Sequence, residues 1–355
     1  MPASLLQPFP PPSGSLLRPY WRLFKGVIRA TDWWEYKFAC LLGTAYAVAF
    51  YDHVAMARLW LPLLQILAAF VPCAAYVCVI NDLTDQEEDK RAGKPNRMAG
   101  RSKLFRCAAL GLCLLLGTTA CWMLRRYPVT LALYAGNWLA FTLYSVPPFR
   151  LKTKGLWGVL ADTCGGQFLP TLWVATLVAE SSGHTLDLFI GLPLGCWAFA
   201  LGLRGILSHQ LRDHEADAHA GVGTLVMRRG PTFVSRLVAW VIFPVEIAAM
   251  LCLLIRLNTS FTWPLLALHL LAETRRGSFS SLLAAWKVPR PEQWVPPAEY
   301  YKFYYPMTFA LALTRRDAAA AGLIAAHLLL FRHCSRLFAL DVYRLFQWRP
   351  LVARG

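Results

Sequence analysis

Charge is scarce in this sequence. Asp, Glu, Lys and Arg make up 16% of the 355 residues against 57% hydrophobic ones, a balance that excludes an ordinary soluble domain and points to a polytopic membrane protein. Acids are the rarer sign, 20 against 36 Lys and Arg, for a formal charge of +16. That excess does not imply nucleic acid as a partner, because the basic residues are interrupted by apolar runs, as in the cytoplasmic loops of membrane proteins. The ten cysteines include no Cys-x-x-Cys pair. Cys73, Cys78, Cys107, Cys113, Cys121, Cys164, Cys196 and Cys252 all fall within apolar runs, so neither a zinc site nor a disulfide framework follows. The N-terminus lacks a basic region leading into an apolar core, which excludes a secretory signal. Residues 1–19, with Pro8, Pro10, Pro11 and Pro12, read as a disordered lead.

Long uncharged runs are what the chain does have. After an interfacial helix over Arg18 to Lys37, rich in Arg and Trp, crossings are expected at Phe38 to Tyr51, Leu59 to Ile80, Cys107 to Leu124 and Tyr127 to Phe149. Further crossings are expected at Leu156 to Ala179, Leu188 to Leu203, Leu237 to Ile255 and Leu257 to Ala272. A polar loop over Glu273 to Lys302 follows, and then two short apolar pieces, Tyr300 to Leu313 and Ala318 to Phe331.

The acids that remain are concentrated. Directly after Leu59 to Ile80 comes Asn81-Asp82-Leu83-Thr84-Asp85-Gln86-Glu87-Glu88-Asp89, followed by Lys94-Pro95-Asn96-Arg97. If the helix continues past Ile80, Asp82, Asp85 and Asp89 share one face at i, i+3 and i+7. Carboxylates that close need cations, and Mg²⁺ supplies them through oxygen ligands, keeping waters and sharing itself with substrate phosphates. The stretch therefore reads as a metal-diphosphate site at a membrane boundary, against the plainer reading of a salt-bridged helix end. The pattern repeats after Leu188 to Leu203, where Asp213 and Asp217 stand at i, i+4 ahead of Gly221 and Thr224-Leu225.

The first stretch resembles the NDxxDxxxD signature of the UbiA superfamily of intramembrane prenyltransferases, and the second resembles that family's DxxxDxxxG motif. Between them, Tyr144-Ser145-Val146-Pro147-Pro148-Phe149-Arg150-Leu151-Lys152 is similar to the family's Tyr-Ser-x-Pro-Pro-x-Arg-Leu-Lys segment. The resemblance covers about residues 20 to 330. It implies an all-α polytopic membrane bundle of about nine transmembrane helices around a central cavity open to the cytoplasmic side. One domain over 20–335 is expected, with a basic tail at 336–355.

The chemistry so implied is Mg²⁺-dependent ionisation of an isoprenyl diphosphate and transfer of the prenyl group to an aromatic or other lipophilic acceptor. Asp82, Asp85, Asp89, Asp213 and Asp217 are the expected catalytic and metal-ligating residues. Asn81, Lys94, Arg97, Lys152 and Arg212 are expected to bind the diphosphate, Arg bidentately, and Tyr144 to shield the cation. Asp162 and Glu246 are intramembrane acids and so functional suspects, a structural hydrogen bond being the plainer role for Glu246. His209, Gln210, His214 and His219 crowd the second motif and are not usual Mg²⁺ ligands; they are expected to orient carboxylates or face the headgroups. The His209-Gln210 pair departs from the apolar residues expected there, which leaves the acceptor open. A UbiA-type terpene cyclase needs the same metal site and is the alternative. A secondary transporter is a third reading, opposed because the two acidic segments share only an Asp-x-x-x-Asp spacing rather than a repeat.

Loop charge sets the expected orientation. Six Lys or Arg lie between Leu83 and Lys103, Arg204 and Arg212 are counted between the sixth and seventh crossings, and none lies between Glu180 and Asp187. Both acidic motifs are therefore expected in the cytoplasm. Nine crossings would leave the C-terminus outside although it carries Arg332, Arg336, Arg344, Arg349 and Arg354, so either the tail is interfacial or one late apolar piece is re-entrant.

Overall fold

The computed structural model describes residues 26–276 and 296–347, and within these the regular structure is helical, joined by turns and loops, apart from one isolated bridge between Gly155 and Thr224. The disordered lead and most of the polar loop expected over Glu273 to Lys302 lie outside the described residues. The helices are α1 (Ala39–Tyr51), α2 (Met56–Thr84), α3 (Gln86–Arg91), α4 (Lys103–Leu124) and α5 (Pro128–Ser145). Then come α6 (Leu156–Thr163), α7 (Leu169–Ser181), α8 (Leu188–Ala220), α9 (Leu225–Arg229), α10 (Pro231–Leu237) and α11 (Phe243–Arg256). The last four are α12 (Thr262–Arg276), α13 (Tyr305–Arg316), α14 (Ala321–Leu330) and α15 (Arg332–Phe346).

Among the described residues four helical stretches are long and apolar enough to cross a membrane: α2, α4, α8 and the continuous run Pro231–Arg256. A fifth is obtained if Ala318–Leu330 and Arg332–Phe346, bent by 97°, form one broken span. The remaining expected crossings correspond to shorter or less apolar helical runs. The run from Leu156 to Ser181, for example, carries Asp162, Gln167 and Glu180 and includes a π turn at Cys164–Phe168. Exposed side chains on α4 and α11 are Leu112, Leu114, Leu115, Trp122, Val245, Leu251 and Ile255, a surface suited to lipid chains rather than water.

Two boundaries differ from expectation in ways that matter for the site. The sixth run does not stop at Leu203. Helix α8 continues without a break to Ala220, 33 residues in all, or about 50 Å at 1.5 Å per residue. That exceeds a hydrocarbon core of roughly 30 Å, so its C-terminal turns carry the second motif beyond the apolar zone. Arg204 therefore lies inside a helix and not in a loop. It is buried and paired with Glu246 of α11, Nε to Oε2 at 2.5 Å and Nη2 to Oε1 at 2.8 Å, and α8 and α11 pack along each other. Glu246 has the structural role. In the fourth run, α5 ends at Ser145 and not at Phe149, because Pro147 and Pro148 follow and a residue before proline is driven out of the helical region.

The ends opposite the motifs are closed by acids that serve as caps. Glu180 accepts from the backbone N–H groups of Val129 and Thr130 in the first turn of α5, and from the Thr130 hydroxyl at 2.6 Å. Asp187 caps α8 through the Phe189 N–H at 2.8 Å and takes the Tyr51 hydroxyl at 2.6 Å. Of the expected interfacial helix, the described part runs into the bundle. Trp33 is buried edge-on against Phe70, and Trp34 donates to the Leu330 carbonyl at 2.8 Å. The tail is held in the same way: Glu35 accepts from the N–H groups of His333 and Cys334 at the start of α15, and Asp341 pairs with Arg276 of α12.

Candidate active site

Helix α2 delivers the first motif, but not as one continuous face. It ends at Thr84, and Asp85 leaves helical geometry (φ −104°, ψ 5°) before the six-residue α3 begins. The expectation of three aspartates on one helical face is thus corrected. Glu87, Glu88 and Asp89 fill the first turn of α3, where its dipole favours anions. At its other end Gly93, at φ +65°, reverses the chain, with Lys94 N–H donating to the Asp89 carbonyl at 2.8 Å and Gly93 N–H to Lys90 at 3.3 Å. That pair of bonds is a Schellman closure, in which glycine accepts the left-handed conformation at little cost. It folds the Lys94 to Arg97 segment back over the acids.

The second motif closes alike. Gly221, at φ +70°, ends α8, with Val222 N–H on the Asp217 carbonyl at 2.9 Å and Gly221 N–H on Ala218 at 3.2 Å. Thr224 then caps α9. The Tyr144 to Lys152 segment is pinned beside it: Gly155 N–H donates to the Gly223 carbonyl at 3.2 Å, and Arg228 reaches the Thr153 carbonyl at 3.0 Å.

Between these closures lies a polar cavity of about 310 Å³. Asp82, Asp85, Asp89, Asp213 and Asp217 all line it, as do Asn81, Lys94, Arg97, Tyr144 and Lys152. Arg212 does not. It is exposed on the adjoining turn of α8 and lines a neighbouring cavity. The Asp82 carboxylate is buried, accepts the Arg97 backbone N–H at 3.1 Å and lies 3.9 Å from Arg29 Nη1. Asp85 is held by Lys152, which also donates to Glu88 at 2.7 Å, while Arg150 pairs with Glu88 at 2.9 Å. Burial pushes the Asp85 carboxyl above its ordinary value, which Lys152 offsets only in part. Burial also opposes ionisation of Glu88, but Lys152 and Arg150 together hold its carboxyl below the ordinary range. Lys94 crosses from the first motif to the second, 2.6 Å from Asp213 and 3.8 Å from Asp217. His209 stands 3.6 Å from Asp213, too far for a hydrogen bond, and His219 bonds the Glu215 carbonyl.

Sequence reasoning missed several participants. Asn96 is the staple of the first motif, donating to the Asp82 carbonyl and to Asp89 Oδ2, both at 2.8 Å, while its own oxygen accepts from Met98 and Ala99. Its place in the Lys-Pro-Asn-Arg run was the available signal. Glu88 and Arg150 lie inside the motifs, but spacing alone assigns them no role. Arg29, in the left-handed region at φ +49°, sits more than fifty residues upstream of the acids and carried no signal at all.

The donor set is suited to a hard cation, being all carboxylate oxygens. Among the described residues no three acids, histidines or cysteines are grouped closely enough to hold a metal ion alone. Mg²⁺ does not require such a cage, since it binds through one or two carboxylates, waters and substrate phosphate. The residues fit.

Beneath the polar cavity, and sharing Arg29, Asn81 and His209 with it, is a chamber of about 260 Å³ lined by Trp33, Phe70, Val77, Phe141 and Pro170. A third cavity of about 580 Å³ adjoins both, bordered by Tyr36, Gln167, Ser208, His209 and Tyr301.

The fold is shared with known structures. A UbiA homolog from Archaeoglobus fulgidus bound to GPP and Mg²⁺ superposes with a TM-score of 0.56 at 14% identity, over 82% of this chain and 99% of that one. The same homolog bound to DMAPP and Mg²⁺ gives 0.54 at 12%, over 82% and 98%. A digeranylgeranylglyceryl phosphate synthase gives 0.52 at 18%, over 84% and 99%. Among curated proteins the sequence finds no match. Residues 38–287, more than half of the chain, match the UbiA prenyltransferase family, and they contain both acidic motifs and the segment between them. This chain, an integral membrane protein, belongs to the UbiA prenyltransferase family.

Proposed function

We propose that this protein is a Mg²⁺-dependent enzyme that ionises an isoprenyl diphosphate within the membrane and transfers the prenyl group to a small lipophilic acceptor. The observation that carries this reading is the meeting of two unlike spaces: a cavity lined by five aspartates and several cations shares part of its wall with an aromatic chamber. A prenyl diphosphate has that division in one molecule. The relatives bound to GPP or DMAPP with Mg²⁺ support the same pairing of ligand and ion. The third cavity gives an acceptor its own space, which favours transfer over intramolecular cyclisation.

In this mechanism carboxylates among Asp82, Asp85 and Asp89 would hold one ion and Asp213 and Asp217 another, each shell being completed by water and diphosphate oxygens. Bound Mg²⁺ would neutralise charge developing on the diphosphate as the C–O bond breaks. Asn81, Arg97, Lys94 and Lys152 contribute donors to the diphosphate oxygens. Lys94 and Lys152 now rest on carboxylates, so substrate and ions would redistribute these pairs rather than enter an empty shell. Tyr144 and the aromatic chamber keep water from the cation. The deciding experiment is incubation of membranes carrying the protein with labelled prenyl diphosphates of several lengths. Diphosphate release that needs Mg²⁺ and stops in chelator is expected; full turnover in chelator would sink the reading.

Arg97 tests the division between binding and ionisation. Arg97 borders the polar cavity, and its guanidinium makes a weak contact to the Pro95 carbonyl at 3.4 Å. Arg97→Ala is expected to raise KM about tenfold with little change in kcat, because the contact is made equally in ground and transition states. Arg97→Lys, which keeps charge but loses the fork, should fall between. Loss confined to kcat would mark Arg97 instead as a residue that closes only during ionisation.

The cavity mouth is proposed to face the cytoplasm, on the charge asymmetry of the loops. In a chain whose exposed Cys107 and Cys196 are first replaced, a cysteine at Gln86 should react with an impermeant reagent only from the cytoplasmic side. One at Gly183 should react only from the other. The opposite pattern reverses the orientation.

A further inference from the structure

Asp162 has no part in the scheme above. It lies at the end of α6, inside the bundle, and lines both the aromatic chamber and the third cavity. Among the described residues it makes neither a hydrogen bond nor an ion pair. A carboxylate left in that state within a membrane bundle is costly, and such residues mark functional paths.

Its surroundings are specific. The π turn Cys164–Phe168 follows immediately, and a second π turn, Trp34–Phe38, faces it across the chamber. π turns are rare and recur at functional sites, because the widened turn frees backbone groups for other partners. Here Asn137 Nδ2 donates to the Gly165 carbonyl at 2.7 Å, and Lys37 Nζ, from the facing π turn, donates to the Gly166 carbonyl at 2.8 Å. A methyl group at Gly166 would lie 2.9 Å from Lys37 Nζ and 3.5 Å from Asp162 Oδ1. Ammonium and carboxylate therefore converge on the same point of the cavity wall. The other titratable groups facing Asp162 are His209, which borders all three cavities, and Tyr144, while Arg29 and Asp32 line the same chamber.

We propose that Asp162 is the proton acceptor of the reaction, with Lys37 as its positioning partner. The inference rests on the prenyl-transfer reading and assigns its last step. The C1–O bond breaks and its electron pair leaves with the diphosphate. An acceptor atom bearing hydrogen, held in the third cavity, forms a new bond to C1. The bond from that atom to its hydrogen then breaks, the pair stays with the acceptor, and the proton passes to a carboxylate oxygen of Asp162. The acceptor class is accordingly a lipophilic molecule with a removable proton on the attacking carbon or oxygen. The location accounts for the separation of Asp162 from the metal-binding acids: a base among them would be neutralised by cations and distant from the acceptor.

The test uses full-length protein in native membranes, which supply the acceptor, with labelled farnesyl diphosphate as the probe. Diphosphate release and the ratio of coupled product to prenyl alcohol, formed when water captures the cation, are measured together. Asp162→Asn, close in shape and uncharged, is expected to lower coupled product on the order of 10²-fold, the usual contribution of a general base. Diphosphate release should fall less than about threefold, with alcohol making up the difference. Asp162→Glu should restore part of the ratio. Parallel loss of diphosphate and product would assign Asp162 a structural role, and an unchanged ratio or an alcohol-only wild type would also overturn the inference. Failure of the wild type to release diphosphate from the probe would instead defeat the prenyl-transfer reading itself.

Discussion

Asp82→Asn is expected to release diphosphate on the order of 10²–10³-fold more slowly than the wild type at saturating substrate, the scale at which loss of one preorganised charge-stabilising group is felt. The substitution is close to isosteric, and the remaining side-chain oxygen can still accept the Arg97 backbone N–H that Asp82 now takes at 3.1 Å. What it removes is the negative charge. Asp82 is the most deeply buried of the motif acids, at 3% exposure, and the cations that offset it are Arg29, at 3.9 Å, and Arg97. Its charge is therefore screened less by solvent than that of the more exposed motif acids. The loss should fall mainly on kcat, since charge on the diphosphate grows as the bond breaks. Asp213→Asn provides the comparison from the second motif, where loss of the carboxylate also frees Lys94 from its 2.6 Å partner. Unchanged kcat in both variants would remove the acids from the chemistry.

The motifs were legible because each acid follows an uncharged run and the spacing is tight enough to demand a cation. Side-chain partnership was not legible. Asp85 breaks the helix instead of continuing it, so a period argument placed three acids on a face that does not exist. Gly93 and Gly221 were visible as letters, but the reversal they allow, which brings Lys94 from one motif onto Asp213 of the other, is a long-range contact that spacing cannot reveal. Arg29 belongs to the site only because a left-handed turn aims it there. Hydropathy failed in a different way at Arg204. A charge ended the apolar run after Leu203, and the run was read as a crossing with a loop beyond it. The helix in fact continues, because the charge is answered by Glu246 on α11 rather than by water. Each was read separately as a loop cation and an intramembrane acid, and together they form a buried pair.

That pair carries the largest stability effect expected in the chain. Glu246 is fully buried, and both its oxygens bond Arg204, at 2.5 and 2.8 Å, in the two-pronged geometry that favours arginine with carboxylate. Removing one member leaves a charge in an apolar interior with its main counter-ion gone. Breaking a buried pair in this way costs about 3–5 kcal/mol. Glu246→Ala is therefore expected to lower the midpoint of thermal denaturation in detergent more than any single substitution in the polar cavity, where water reaches the remaining partners. Arg204→Met with Glu246→Leu tests the cause. Replacing both members with apolar residues of similar size removes the desolvation cost as well as the attraction, so the double variant should be considerably more stable than Glu246→Ala. If the double variant is no more stable than the sum of the two single losses predicts, the two side chains are not coupled, and the α8–α11 contact is held by its apolar packing alone. Recovery in the double variant would establish that the loss in Glu246→Ala comes from the charge left unpaired between α11 and the helix that carries Asp213 and Asp217 into the site.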